Sequence, residues 1–190
     1  MARRQWGATA AAIAGQYVLE LEQRIQCLED IEAIKQLKAR WWFSCDTRDT
    51  TGMRACFDES NFEIDFGFIG RFTDMDSFIE VFESLACHPS HIDMHHGLAP
   101  EITLIDSNSA QGRWRMRFQL LETDLKQVQL MSGYYEDQYV KLEDGWKMRK
   151  SKYTLMSNLH LQSADHGLQV GQIGAGPGLV SHRETLQADL

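Results

Sequence analysis

The second half of the chain is its strongest constraint on fold. From His91 onward, four runs (His91–Leu104, Ala110–Leu121, Gln127–Leu142 and Trp146–Tyr153) are separated only by Asp106-Ser107-Asn108, Glu122-Thr123-Asp124 and Glu143-Asp144-Gly145. Alternation at period two marks half-buried strands, and connections this short join only antiparallel neighbours. Trp114, Met116, Phe118 and Leu120 alternate with Arg113, Arg115, Arg117 and Gln119, so one face is core and the arginine face points outward or toward another subunit. A meander of this kind must bury its apolar face against something.

The first half supplies the cover. Val18, Leu21, Ile25 and Leu28 recur at helical steps within an N-terminal helix expected over Ala8–Cys27. Ile31, Ile34, Leu37, Trp41 and Cys45 then form the stripe of a second helix, with Lys35, Lys38 and Arg40 mainly on its other face. Thr47 to Gly52 reads as a turn, and Met53–Phe57 as a short helix. Phe62, Ile64 and Phe66 alternate as a strand, and Ser77–Cys87 reads as a helix behind an acidic cap at Asp74–Asp76. The expectation is an α+β fold: helices on one face of a curved antiparallel sheet, enclosing a conical cavity. Residues 1–27 form a helical extension, 28–158 the domain and 159–190 a glycine-rich arm. GQIGAGPG near the end follows no strand-like run and opens no βαβ unit, so it is not read as a dinucleotide loop.

Composition excludes several functions. A net charge of −8 argues against a nucleic-acid surface, and no apolar run approaches the roughly 18–20 residues that span a bilayer. Cys27, Cys45, Cys56 and Cys87 show no CxxC spacing and read as reduced thiols. The N-terminus is Ala-rich rather than Leu-rich and runs into a helix, so a cytoplasmic protein is expected rather than a secreted one.

Chemistry concentrates in HPSHIDMHHGLAP, which places His88, His91, His95 and His96 within nine residues. Imidazole exchanges a proton near neutrality without large tuning. In an extended segment His95 and His96 face opposite ways, while His91 and Asp93 share the parity of His95. Asp46 closes a buried-looking helical face, where a carboxylate needs a partner; an imidazole N–H would serve. The alternatives are that Asp46 caps its own turn, or that the histidines and Asp93 hold a metal. The stretch lacks helical HxxxH spacing and contains Pro89, so no metal is expected.

LEDIEAIKQLKARWWFSCDTRD, MRACF, MHHGLAPEI and YYEDQYVKLEDGWKMRKSKY, in this order and spacing, resemble the SnoaL-like branch of the NTF2-like superfamily over roughly Leu28 to Leu155. The resemblance implies a cone-shaped α+β barrel assembled as a homo-oligomer, dimer or trimer. The match is nearest to members that eliminate a leaving group, in which an Asp at the end of the first helix orients a His on a strand. Those residues fall on Asp46 and His95. Trp41 stands where dehydratases of this kind carry a tyrosine, and an indole cannot transfer a proton as a phenol can; Tyr134, Tyr135 and Tyr153 are the alternative acids. The implied function is a cofactor-independent lyase acting on a small hydrophobic hydroxylated substrate, aromatic or polycyclic. Asp46 and His95 would be its general base, and Trp41, Trp42, Phe66, His91, Tyr134 and Tyr153 would contact the substrate. Water or a small carbon fragment such as formaldehyde would leave. Three readings stay open: an isomerase using the same pair, a non-catalytic binding module, and the small subunit of an aromatic-ring dioxygenase.

Overall fold

The computed structural model describes residues 3–165 and 167–176. Its first element is a single helix, α1 (Arg3–Asp46), where two had been expected. No glycine or proline lies between Gly15 and Asp46, so nothing breaks the backbone at Cys27. What changes along α1 is its environment. Val18, Leu21, Ile25 and Leu28 are exposed, whereas Ile34, Leu37 and Trp41 are fully buried. Between Val18 and Leu28 the apolar stripe of α1 therefore faces solvent, and from Ile34 onward the helix covers the sheet.

At the end of α1, Arg48 takes a left-handed backbone (φ 60°), and the Asp49 amide donates back to the Ser44 carbonyl at 2.9 Å. This geometry terminates helices. The Asp49 carboxylate then accepts from the Gly52 amide and starts α2 (Thr50–Ala55). A 3₁₀ turn at Glu59–Asn61 leads into β1 (Glu63–Asp65) and β2 (Arg71–Phe72). In α3 (Met75–Ala86) the Asp74 carboxylate accepts from the Ser77 amide at 2.8 Å. Phe78 and Ile79 on its inner side are buried.

The strands β3 (His91–Leu104), β4 (Ser109–Glu122), β5 (Gln127–Leu142), β6 (Gly145–Ala164) and β7 (Gly167–Ala175) follow. Sheet order is β2-β1-β6-β5-β4-β3; β1 runs parallel to β6, and β7 pairs with the second half of β6. The sheet is thus mixed, curved and unclosed. Register shifts at Leu98/Glu101 in β3, Ser132/Gly133 in β5 and His160/Leu161 in β6 bend it. Strand β6 runs past the expected end at Tyr153, and Gly167–Ala175 of the glycine-rich stretch pairs with it. Residues 177–190 of that stretch lie outside those described.

Register assembles the inner wall row by row. His95 pairs with Phe118 and Phe118 with Met131; Gly97 pairs with Met116 and Met116 with Gly133; Trp114 pairs with Tyr135 and Tyr135 with Tyr153. The core between this wall and the helices is rich in aromatic rings, among them Trp41, Phe57, Phe62, Phe66 and Phe78. Beside it lies a buried polar network. The Lys38 ammonium sits 2.8 Å from Asp137, and Asp137 also accepts from the Tyr139 and Ser151 hydroxyls, each at 2.7 Å. No described helix is long and apolar enough to cross a membrane.

Candidate active site

Helix α1 ends against strand β3, and this junction joins Asp46 to His95. The Asp46 carboxylate accepts the His95 backbone N–H at 3.0 and 3.2 Å and lies 2.6 Å from the His95 ring Nδ1. A carboxylate only accepts, so Nδ1 carries the hydrogen, and in the neutral ring the lone pair is then on Nε2. The ring is also held by Phe118, its neighbour in the register, with centroids 4.7 Å apart.

A carboxylate at a helix C-terminus faces the negative end of the helix dipole. Arg48 offsets this. Its guanidinium donates to the Cys45 and Asp46 carbonyls (3.1 and 2.9 Å), to Ala86 at the end of α3 (2.9 Å), and to His91 at the start of β3 (3.2 Å). It also pairs with the nearly buried Asp93 carboxylate at 3.2 Å. Burial pushes the Asp93 carboxyl above the ordinary range, and Arg48 opposes that rise. One side chain thus ties the two elements that carry the pair, α1 and β3, to each other and to α3.

His95 opens on a cavity of about 150 Å³ between the inner wall, α1 and α3. Trp41, Phe66, Phe78, Phe82, Met116, Phe118, Met131, Tyr135 and Tyr153 line it, with Phe68 and Leu85 among its exposed lining residues. Cys45 is the one thiol of this lining, and burial pushes it well up, which keeps it protonated. Larger hollows on the outer sheet face, of about 470 and 630 Å³, are lined by charged residues such as Glu101, Arg113 and Glu136 and contain no histidine.

The residues singled out from sequence divide between the cavity and its surroundings. Asp46 and His95 meet, and Trp41, Phe66 and Tyr153 line the same cavity as His95. Trp42 does not: it packs against Trp114 and Tyr135 with ring centroids 5.5 and 6.0 Å away, beneath Gly97. Tyr134 points outward beside Arg115 and Arg117, because register puts Tyr135 on the inner face. His91 lies outside the cavity lining, against His88, with ring centroids 4.9 Å apart and the planes inclined by 56°. Among the described residues no three His, Cys, Asp or Glu groups converge to hold a metal. Arg48 escaped sequence reasoning: four of its five contacts are to backbone carbonyls, which carry no side-chain signature.

Residues 26–152 match the SnoaL-like domain family. Among solved structures, a Novosphingobium aromaticivorans DSM 12444 protein assigned as a scytalone dehydratase is similar, with a TM-score of 0.67 at 16% identity, over 80% of this chain and 95% of that one. The structure of LinA gives 0.65 at 15% identity, over 81% and 99%. The hexachlorocyclohexane dehydrochlorinase LinA-type3 of Novosphingobium barchaimii LL02 gives 0.61 at 14% identity, over 82% and 95%.

Proposed function

From its membership of the SnoaL-like family, to which this chain belongs, we propose that the protein is a cofactor-independent lyase whose general base is His95, oriented by Asp46. The observation that carries this reading is the 2.6 Å bond between the Asp46 carboxylate and His95 Nδ1, beside an apolar cavity onto which the ring opens. Nδ1 is engaged, so Nε2 is the nitrogen free to accept a proton. The imidazolium that forms is met by the adjacent carboxylate, the division of labour of a triad without its nucleophile.

In a dehydration, Nε2 takes a C–H proton. The released electron pair forms the new C=C bond as the adjacent C–O bond breaks, and the imidazolium returns its proton to the departing hydroxyl as water. In the aldehyde-releasing variant, Nε2 takes a hydroxyl proton instead. The C–C bond then breaks to leave formaldehyde, and the imidazolium protonates the carbanion. An isomerase would use the same pair to move a proton between two carbons. We also propose a homo-oligomer: Ile92, Met94 and Leu98 on the outward side of β3 are exposed, and burying them in a second copy would remove apolar surface from water. Sedimentation of the purified protein tests this.

The function is tested by screening hydroxylated aromatic and alicyclic compounds for new conjugated absorbance or released aldehyde. His95→Ala and Asp46→Asn should each lower turnover by about 10²–10⁴-fold. Activity that survives both substitutions refutes the assignment. No turnover, with unchanged ligand affinity in His95→Ala, favours a binding module, and co-purification of a larger iron–sulfur chain favours a dioxygenase subunit.

A further inference from the structure

Every residue of α1 from Val18 to Glu29 is exposed, so this stretch of helix has no tertiary cover on any side. Helices in proteins owe most of their stability to packing an apolar face, and this stretch carries such a face in Val18, Leu21, Ile25 and Leu28. That side is not the one the domain uses. At 3.6 residues per turn, the four lie roughly opposite Asp30, Ile34, Leu37, Trp41 and Cys45, which are buried in the domain. Continued toward the domain, the same stripe passes Glu32, Lys35 and Ala39, of which Glu32 and Ala39 are exposed and Lys35 is half-buried. The sheet thus lies on the far side of α1, and a second helix can run along the stripe without meeting it.

The residue types select that helix. The four occupy successive seam positions of a heptad, with Val18 and Ile25 at a and Leu21 and Leu28 at d. β-Branched residues at a with leucine at d favour two parallel strands. Glu22 and Glu29 then fall at e, and Arg24 at g. Parallel helices set g of one against the following e of the other, so each Arg24 meets Glu29 of the partner subunit. Antiparallel helices oppose e to e and would bring glutamates together. Among the described residues neither Arg24 nor Glu29 pairs with a charge of its own chain; the acids that do on this part of α1 are Asp30 and Glu32. A lipid surface fits poorly, because Glu20, Glu22 and Glu29 outnumber Arg24 on the polar side, where membrane-surface helices carry lysine and arginine.

We infer that Val18–Glu29 of α1 is a docking surface for the same segment of a second copy, the two joined as a parallel two-stranded coiled coil. The surface is separate from the exposed face of β3 and goes beyond the lyase reading, on which it does not depend. Two heptads are short for a free peptide, but the costly step in forming a helix is its first turn. Here that turn is already held: the Asp30 carboxylate is fixed in the domain by Lys141 at 2.7 Å and by the Trp146 ring N–H at 2.9 Å. Pairing then needs only the burial of apolar side chains that now face water.

The test uses the full-length chain with Val18→Cys as reporter and the exposed Cys27 and Cys87 replaced by serine. In a parallel pair position 18 faces its own copy, so brief oxidation with oxidised glutathione should link the chains as dimers that dithiothreitol releases. Arg24→Glu and Glu29→Arg each bring like charges together on both flanks of the seam. Each should raise the protein concentration needed for half-maximal cross-linking by about tenfold. Mixing the two variants opposes unlike charges on both flanks again, so the mixture should cross-link at close to the concentration of the parent chain. Ile25→Glu, which places two carboxylates in the seam, should abolish the link while the unfolding temperature of the domain stays unchanged. The inference is overturned if position 18 does not cross-link, if the charge variants match the parent, or if mixing restores nothing. Loss of the link in Met94→Glu would overturn it by tracing the contact to β3. Co-sedimentation with phosphatidylglycerol vesicles that Ile25→Glu abolishes would overturn it in favour of a membrane.

Discussion

Gly97→Ala tests whether the Asp46–His95 junction depends on how closely β3 approaches α1, without touching either side chain of the pair. A Cβ at position 97 would overlap the six-membered ring of Trp42. Two ring carbons would lie inside any attainable contact distance, and a third, Cε3, at 2.8 Å. Carbon atoms pack at about 3.5–4.0 Å, so the ring or the strand must retreat by about 1 Å or more. The ring has little room: Trp114 stands 5.5 Å away edge-on, Tyr135 6.0 Å and the Lys38 ammonium 5.2 Å from its centroid. Strain in a close-packed site therefore passes to the backbone, and β3 moves off α1.

Overpacking costs about 1–3 kcal/mol, and this site belongs near the top of that range. In a chain of this size, about 3 kcal/mol lowers Tm by roughly 6–12 °C. The catalytic effect should be larger. A shift of about 1 Å at β3 stretches the 3.0 and 3.2 Å bonds from the His95 amide to Asp46 beyond hydrogen-bond range. Misplacement of that size costs about 10²-fold in rate. Calorimetry and turnover well below the new Tm measure the two effects separately. Trp42→Leu in the Gly97→Ala background should restore part of both, giving a coupling energy of about 1 kcal/mol or more in a double-mutant cycle. Gly97→Ala within about 0.5 kcal/mol of wild type, fully active and uncoupled from position 42, would refute the reasoning.

Arg48→Met removes the tie between α1, α3 and β3 and leaves the Asp93 carboxylate unpaired, so it should cost about 3–5 kcal/mol at neutral pH by chemical denaturation. Burial raises the Asp93 pKa, so its ionisation opposes folding: its contribution is complete below the ordinary carboxylate range and lost as pH rises through the folded value. The Arg48→Met deficit should therefore shrink as pH falls, and Asp93→Asn should recover part of it. Asp58 has the opposite sign: its pKa is lowered by the Ser60 hydroxyl and by Arg149. Its stabilisation is complete above the ordinary carboxylate pKa of about 3.9 and lost as pH falls through the lower folded value. Asp58→Asn should then cost about 1–3 kcal/mol at pH 7, a gap that closes in acid denaturation. Lys38→Met leaves Asp137 fully buried without its cation and should cost about 3–5 kcal/mol, while Lys38→Met with Asp137→Asn should cost less than the single change.

Strands β3 and β5 were legible to the residue, because their alternation is bounded by unambiguous turn formers. The end of β6 was missed although Leu155, Leu159 and Leu161 continue its alternation past Tyr153. The continuity of α1 was missed for a different reason. An apolar stripe shows which face of a helix is apolar, not what covers it, and Val18 to Leu28 carries such a stripe while exposed. Tyr134 and Tyr135 could not be separated without register: neighbours in a strand face opposite ways, and only the pairing of Trp114 with Tyr135 decides which is inside. Gly97 and Gly133 carried no warning of their roles, since each is small for the sake of a ring that arrives from elsewhere in the chain.

Those two glycines occupy the same row of the sheet, on either side of Met116, and that row explains the shape of the site. Gly97 admits Trp42 and so lets the end of α1 close on β3, where the Asp46 carboxylate receives both the amide and the ring N–H of His95. Gly133 admits Tyr153 and so lets a phenol lie along the wall. The His95 imidazole and the Tyr153 phenol are thus both seated by an absence of side chain rather than by an insertion. Larger residues at 97 and 133 would disturb different contacts: at 97 the seat of Trp42 and with it the Asp46–His95 junction, at 133 the seat of the Tyr153 ring. Gly133→Ala would also press on the Thr154 carbonyl, which mixes a backbone clash with a ring clash, so Gly97→Ala, which meets the Trp42 ring alone, is the cleaner probe of this row.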